Sequence, residues 1–165
     1  MRMPSSPGSW TKSVRAIPQK RRGEGVGKGG SFEVGLIGVY LAALAAFLVI
    51  DAIAIKFFVF PLFSKHIGDL FRDDMQLGVA LGFYVFYVAG ILYFAVLPGI
   101  AEQSLGRAVL NGALLGFLAY GTYEATNMAT LQGWSWQMVV ADVTWGTVLT
   151  GAVAAVGWFA GRQWL

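Results

Sequence analysis

Four apolar runs, at about residues 34–60, 77–100, 107–131 and 139–161, constrain this chain to one class of fold. Each reaches the ~20 residues that an α-helix needs to cross the hydrocarbon core of a bilayer. Within that core a chain must satisfy its own backbone polar groups, which a continuous helix does and an irregular segment does not. Only 13% of the 165 residues are charged and 56% are hydrophobic, whereas soluble domains carry about 25% charged residues. The intervening stretches, 61–76, 101–106 and 132–138, are short, so successive spans should be antiparallel neighbours. The expectation is an all-α, four-span transmembrane helix bundle over residues 34–161. A flexible basic tail over residues 1–33 precedes it, rich in Gly, Ser and Pro and without any apolar period.

Charge sets the expected orientation. Of the twelve Lys and Arg residues, seven precede residue 30, and with Arg107 and Arg162 they put nine on the side shared by both termini. Lys56, Lys65 and Arg72 fall on the other side. The positive-inside rule then makes both termini cytoplasmic, in a multi-pass protein of a bacterial inner membrane. Bases gathered in a tail, rather than spread over a folded face, also argue against a nucleic-acid partner. Trp134 and Trp136, and at the opposite level Trp158 and Trp164, suit the headgroup region as amphipathic anchors. The first apolar run exceeds the 7–15 residues of a secretory signal core, so it reads as a retained span. The pairs Gly78 and Gly82, Gly112 and Gly116, and Gly157 and Gly161 are spaced for close helix packing. Pro98 should kink or end the second span.

Three acids interrupt the apolar runs: Asp51, Glu124 and Asp142. An ionised group at a span's centre costs roughly 2.5–3.5 kcal/mol, and such residues usually face a bundle interior. Asp51 precedes Lys56 by five residues, Glu124 precedes Trp134 by ten, and Asp142 follows Trp136 by six. At about 1.5 Å per residue, all three lie in the outer half of the bundle, ~8 to ~15 Å below its surface markers. Tyr84 and Tyr87 reach a comparable depth on the second span. Tyr120, Glu124 and Asn127 follow an i, i+4, i+7 pattern on the third, with Tyr123 on an adjacent stripe. The candidate ligand-binding residues are Asp51, Glu124, Asn127, Asp142, Tyr84, Tyr120 and Tyr123. Gly146, beside Asp142, leaves room for a neighbouring backbone.

No catalytic residue is assigned, and the reading leans away from an enzyme. The chain lacks the G-x-S-x-G elbow, the H-E-x-x-H helix and the phosphate-binding glycine loop. With no Cys and a single His, His66, in the first outer loop, zinc, haem and di-iron sites lack their usual ligands, so no cofactor is expected. His66 itself reads as solvated surface.

The stretch from Ala119 to Leu131 (AYGTYEATNMATL), followed by Trp134 and by Asp142-Val143-Thr144-Trp145-Gly146-Thr147, resembles predicted bacterial membrane proteins of the domain of unknown function 2177 family. Leu48-Val49-Ile50-Asp51-Ala52 and Phe94-Ala95-Val96-Leu97-Pro98 extend the resemblance over about residues 35–160. It implies four spans and an inner-membrane location, and it carries no established activity. Where the family more often has aspartate, this chain has Glu124, one methylene longer.

Three roles follow from the polar layer. The favoured one is a binding or transport site for a small solute, a cation or a proton, formed by the intramembrane carboxylates, whose titrations clustering would couple. Four spans are few for a transporter, so that role calls for a homo-oligomer. The alternatives are an accessory or assembly subunit of a larger membrane complex and a lipid-modifying enzyme. Membrane lipid is an expected partner in every case. A purely structural layer is the bland reading, but interhelical hydrogen bonds average only about 0.6 kcal/mol and offset little of the cost of burying three acids.

Overall fold

The computed structural model describes residues 26–165, with side chains from residue 30 onward. Among them the only regular structure is helical: α1 (Val26–Ala54), α2 (Phe60–Ile67), α3 (Leu77–Ile91), α4 (Leu97–Ala101), α5 (Leu105–Thr130) and α6 (Trp136–Trp164). Residues 1–25 of the expected tail lie outside the described residues, and 26–33 already belong to α1.

Three helical stretches are long and apolar enough to cross a membrane: Gly30–Leu70, Leu77–Ala101 and Trp136–Trp164. The expected third span, α5, is 26 residues long. Its stripe of Tyr, Thr, Asn and Glu side chains between Tyr120 and Asn127 makes it markedly less apolar than the other three.

Both proline-containing spans continue past their prolines. Pro61 does not open a loop, because α1 runs through a widened turn, Ile55–Val59, into α2, and Pro61 occupies the first turn of that helix. Pro98 likewise follows a widened turn, Leu92–Val96, and starts α4 rather than ending the span. A proline has no N–H and its ring crowds the carbonyl four residues back, and a turn closed by i→i+5 bonds relieves that crowding. The bonds Phe60 N–H to Ile55 O and Leu97 N–H to Leu92 O have this spacing. The carbonyl that Pro98 orphans is that of Phe94, and Asn111 Nδ2 on α5 donates to it at 3.1 Å. One side chain thus repairs the break and ties two helices together.

α6 is the central helix. Its most extensive interface is with α5, followed by α1, and the buried residues of α6 run along its whole length. Small residues set the α5–α6 distance. A Cβ on Gly116 would strike the Gly146 carbonyl and the Thr150 side chain, and one on Gly112 would meet Ala154 Cβ at 2.7 Å and Thr150 O at 2.8 Å. Gly157 and Gly161 receive Val96 and Ile100 in the same way. Gly78 and Gly82 differ from this expectation: nothing lies within 4 Å of a Cβ at either position, so among the described residues they mediate no packing.

Trp158 also departs from its expected role as an interface anchor. It is 5% exposed, and its indole donates to Gly99 O at 3.1 Å, so it locks α6 to α4 from inside the bundle. Arg162 lies over the Trp158 ring, 5.0 Å from its centroid. Arg107 pairs with Glu102 at 3.0 Å. At the opposite end, Phe63 and Ile67 on one face of α2 are buried against Met138 and Trp134, so α2 caps the α5–α6 turn. His66 is part-buried there, with Nδ1 3.0 Å from Leu62 O.

Candidate functional site

The end of the bundle capped by α2 is built from large aromatic side chains rather than glycines. Tyr84 and Tyr87 on α3 meet Phe47 on α1 edge to face, at centroid distances of 4.9 and 5.8 Å. Tyr120 on α5 lies against Gly146 of α6, where any Cβ would collide with the ring. The close approach anticipated at Gly146 is therefore by a side chain as well as by the α5 backbone. Thr150 donates its single proton to Gly146 O at 2.7 Å, which leaves its oxygen to accept from the Tyr87 hydroxyl at 3.0 Å. These rings hold the helices apart and enclose a cavity of about 490 Å³.

Two carboxylates open on this cavity. Asp51 is 3% exposed and Asp142 8%, and they come from α1 and α6 on different walls. Asp51 Oδ1 accepts from the Trp145 indole at 3.2 Å, and the Tyr84 hydroxyl is directed at the same carboxylate. A carboxyl oxygen accepts, so the indole N–H fixes the orientation of Asp51. Among the residues lining the cavity there is no Lys, Arg or His. The remaining wall is aromatic and aliphatic, with Phe63 from α2, Phe71 from the following loop, and Ile55 and Val59 from the widened turn.

Glu124 is fully buried but does not line the cavity. It lies behind Asp142, with the two carboxyl groups in side-chain hydrogen-bond contact. Glu124 Oε2 accepts from the Trp134 indole at 2.7 Å, while Oε1 has no donor among the described residues. Trp134 is therefore not a free interfacial anchor, since it reaches back from the α5–α6 turn to hold a buried acid and packs edge to face on Phe63 and Tyr123.

Of the seven residues expected from the sequence, Asp51, Asp142, Tyr84, Tyr120 and Tyr123 line the cavity. Glu124 backs it, and Asn127 stands off it beside the Tyr123 hydroxyl. Tyr123 is 53% exposed and contributes an edge rather than a wall. The indole donors Trp134 and Trp145 were not anticipated as acid partners. Trp145, three residues after Asp142 on one helix face, carried a usable signal. Trp134, beyond the end of α5, is out of helical register with Glu124 and carried none. No group of three His, Cys, Asp or Glu side chains among the described residues is arranged to hold a metal ion.

The profile of the family described as predicted membrane protein (DUF2177) matches residues 36–159, and the chain belongs to that family. The match spans the apolar helices and every candidate residue named above. No curated protein and no solved structure matches the chain.

Proposed function

We propose that this member of the DUF2177 membrane family binds a hydrophobic organic cation, an amine or quaternary ammonium compound, in the aromatic cavity between α1, α3, α5 and α6. The observation that carries this reading is the pairing of two buried carboxylates with aromatic walls and no basic residue. Aromatic faces attract cations by about 0.5–2 kcal/mol each, more when water is excluded. The size is apt, because small-molecule pockets run from about 300 to 1,000 Å³. A neutral or anionic solute would gain nothing from Asp51 and Asp142, whereas a cation offsets the cost of keeping them from water.

This reading includes α5 as a fourth span. In its support, polar side chains of α5 find partners inside the bundle: Asn111 at Phe94 O and one oxygen of Glu124 at the Trp134 indole. The basic residues near both termini support a cytoplasmic location for the two ends, in a bacterial inner membrane, with the cavity in the outer half.

The test is calorimetric titration of the detergent-purified protein with tetraphenylphosphonium, a permanent hydrophobic cation. Saturable binding is expected, and Asp51→Asn should weaken it at least tenfold. Failure of the wild-type protein to bind would remove the reading. A second reading, assembly into an oligomer or larger membrane complex, is favoured by Gly78 and Gly82, which face nothing among the described residues although their spacing suits close helix contact. Mass measurement of the particle in mild detergent distinguishes a single chain from an assembly.

A further inference from the structure

The orphaned oxygen of Glu124 has a use. Glu124 is 0% exposed, its Oε2 is occupied by the Trp134 indole, and its Oε1 faces no donor among the described residues. A buried acceptor left without a donor costs about 1–3 kcal/mol, more when charged. The carboxyl of Asp142, also an acceptor when ionised, is close enough to interact with the Glu124 carboxyl. Two carboxylates at that separation cannot both stay charged away from water, and the arrangement that satisfies both holds one proton between them. Trp134 already stabilises negative charge on Glu124. A proton shared by the pair would then sit on Asp142 and be donated to Glu124.

We infer that Glu124 and Asp142 share one proton and that it is released when a cation enters the cavity. The inference rests on the cation-binding reading above. Asp142 is the member of the pair that lines the cavity, and Asp51 faces it from α1. An arriving cation favours a negative charge on Asp142. The Asp142 O–H bond then breaks, the proton leaves to solvent, and the carboxylate takes the cation as counter-ion, so one positive charge replaces another. The other titratable groups around the pair are phenols, namely Tyr84 from α3 and Tyr120 and Tyr123 from α5. No ion pair among the described residues involves either acid.

The geometry suits exchange better than simple capture. Glu124 serves as a positioning residue: it touches no ligand, and its longer side chain reaches Asp142 from a helix whose own cavity-lining residues are Ala119, Tyr120 and Tyr123.

The experiment titrates the purified protein with tetraphenylphosphonium in two buffers of different ionisation enthalpy. The probe has no titratable proton, so any proton released comes from the protein. About one proton per bound cation is expected, with affinity rising up to tenfold per pH unit through the range where the pair titrates. Glu124→Gln should still bind while releasing less than half a proton, because the amide keeps an acceptor for Trp134 but cannot share the charge. Binding without proton release in the wild-type protein would overturn the inference and leave the cation site standing. If the wild-type protein binds no probe, the cation reading fails, and infrared spectroscopy decides the shared proton alone. A protonated-carboxyl band at neutral pH, absent in Asp142→Asn and reduced by more than half in Glu124→Gln, supports it, and its absence from the wild-type spectrum overturns it.

Discussion

The two halves of this bundle are packed on opposite principles. Toward α4, glycines on α5 and α6 bring helix against helix: Gly112 touches Ala154 and Thr150, Gly157 receives Val96, and Gly161 receives Ile100. Toward α2, Tyr84, Tyr87, Tyr120 and Trp145 hold the same helices around a cavity. The boundary is one turn of α6, where Gly146 admits Tyr120 and Thr150 links the Gly146 carbonyl to Tyr87. In a membrane, lipid offers no hydrophobic drive for helix association, so close backbone approach has to supply it. The bundle can therefore keep an open chamber in one half because the other half is clamped. Both buried acids of the cavity, and Glu124 behind them, lie on the open side of that boundary.

Two positions three residues apart on α5 test this division. Gly116→Leu drives a side chain into the Gly146 backbone and Thr150, and it should lower stability by about 3 kcal/mol or more, read as loss of the folded fraction in a thermal or denaturant series in detergent. Ala119→Leu places the same side chain into the cavity, where there is room. It should cost less than about 1 kcal/mol of stability while reducing tetraphenylphosphonium binding at least tenfold. Equal destabilisation by the two would mean that the halves are packed alike. Next in size is Trp145→Phe, which keeps the ring and removes the donor to Asp51. Hydrogen bonds to charged groups contribute about 1.5–3 kcal/mol. A misaligned Asp51 should weaken probe binding roughly tenfold with little change in the melting curve.

The clamp was more legible in the sequence than the cavity. Gly112, Gly116, Gly157 and Gly161 announce close contact by spacing alone, because a residue without a side chain can be read for what it permits. The same spacing at Gly78 and Gly82 misleads, since spacing does not say whether a partner is present. The acids were visible as charges inside apolar runs, and counting along each helix put Asp51, Asp142, Tyr84 and Tyr87 at one level. Their donors were not. Trp134 follows α5 across a turn at Gly133, whose φ of 83° reverses the chain, and only that reversal returns the indole to Glu124. The prolines misled for a related reason. Pro61 and Pro98 remove one helical hydrogen bond each, but whether the helix stops there depends on a widened turn and on a neighbour such as Asn111, and neither is encoded at the proline itself.

Asn111 gives a smaller and more local test of the clamp. Its amide is the partner found for the Phe94 carbonyl that Pro98 leaves free, and it joins α5 to the widened turn on the tightly packed side. Asn111→Ala should destabilise the protein by about 1 kcal/mol, between the average interhelical hydrogen bond in membranes and the cost of an orphaned buried acceptor. Probe affinity should stay within about twofold, since 1 kcal/mol lost equally from free and bound protein leaves binding unchanged. Hydrogen exchange at Leu97 and Gly99 should accelerate relative to that at Leu149 or Val153 in the core of α6. If the variant instead loses binding as Trp145→Phe does, the widened turn communicates with the cavity, and the boundary at Gly146 is not the mechanical division that the packing implies.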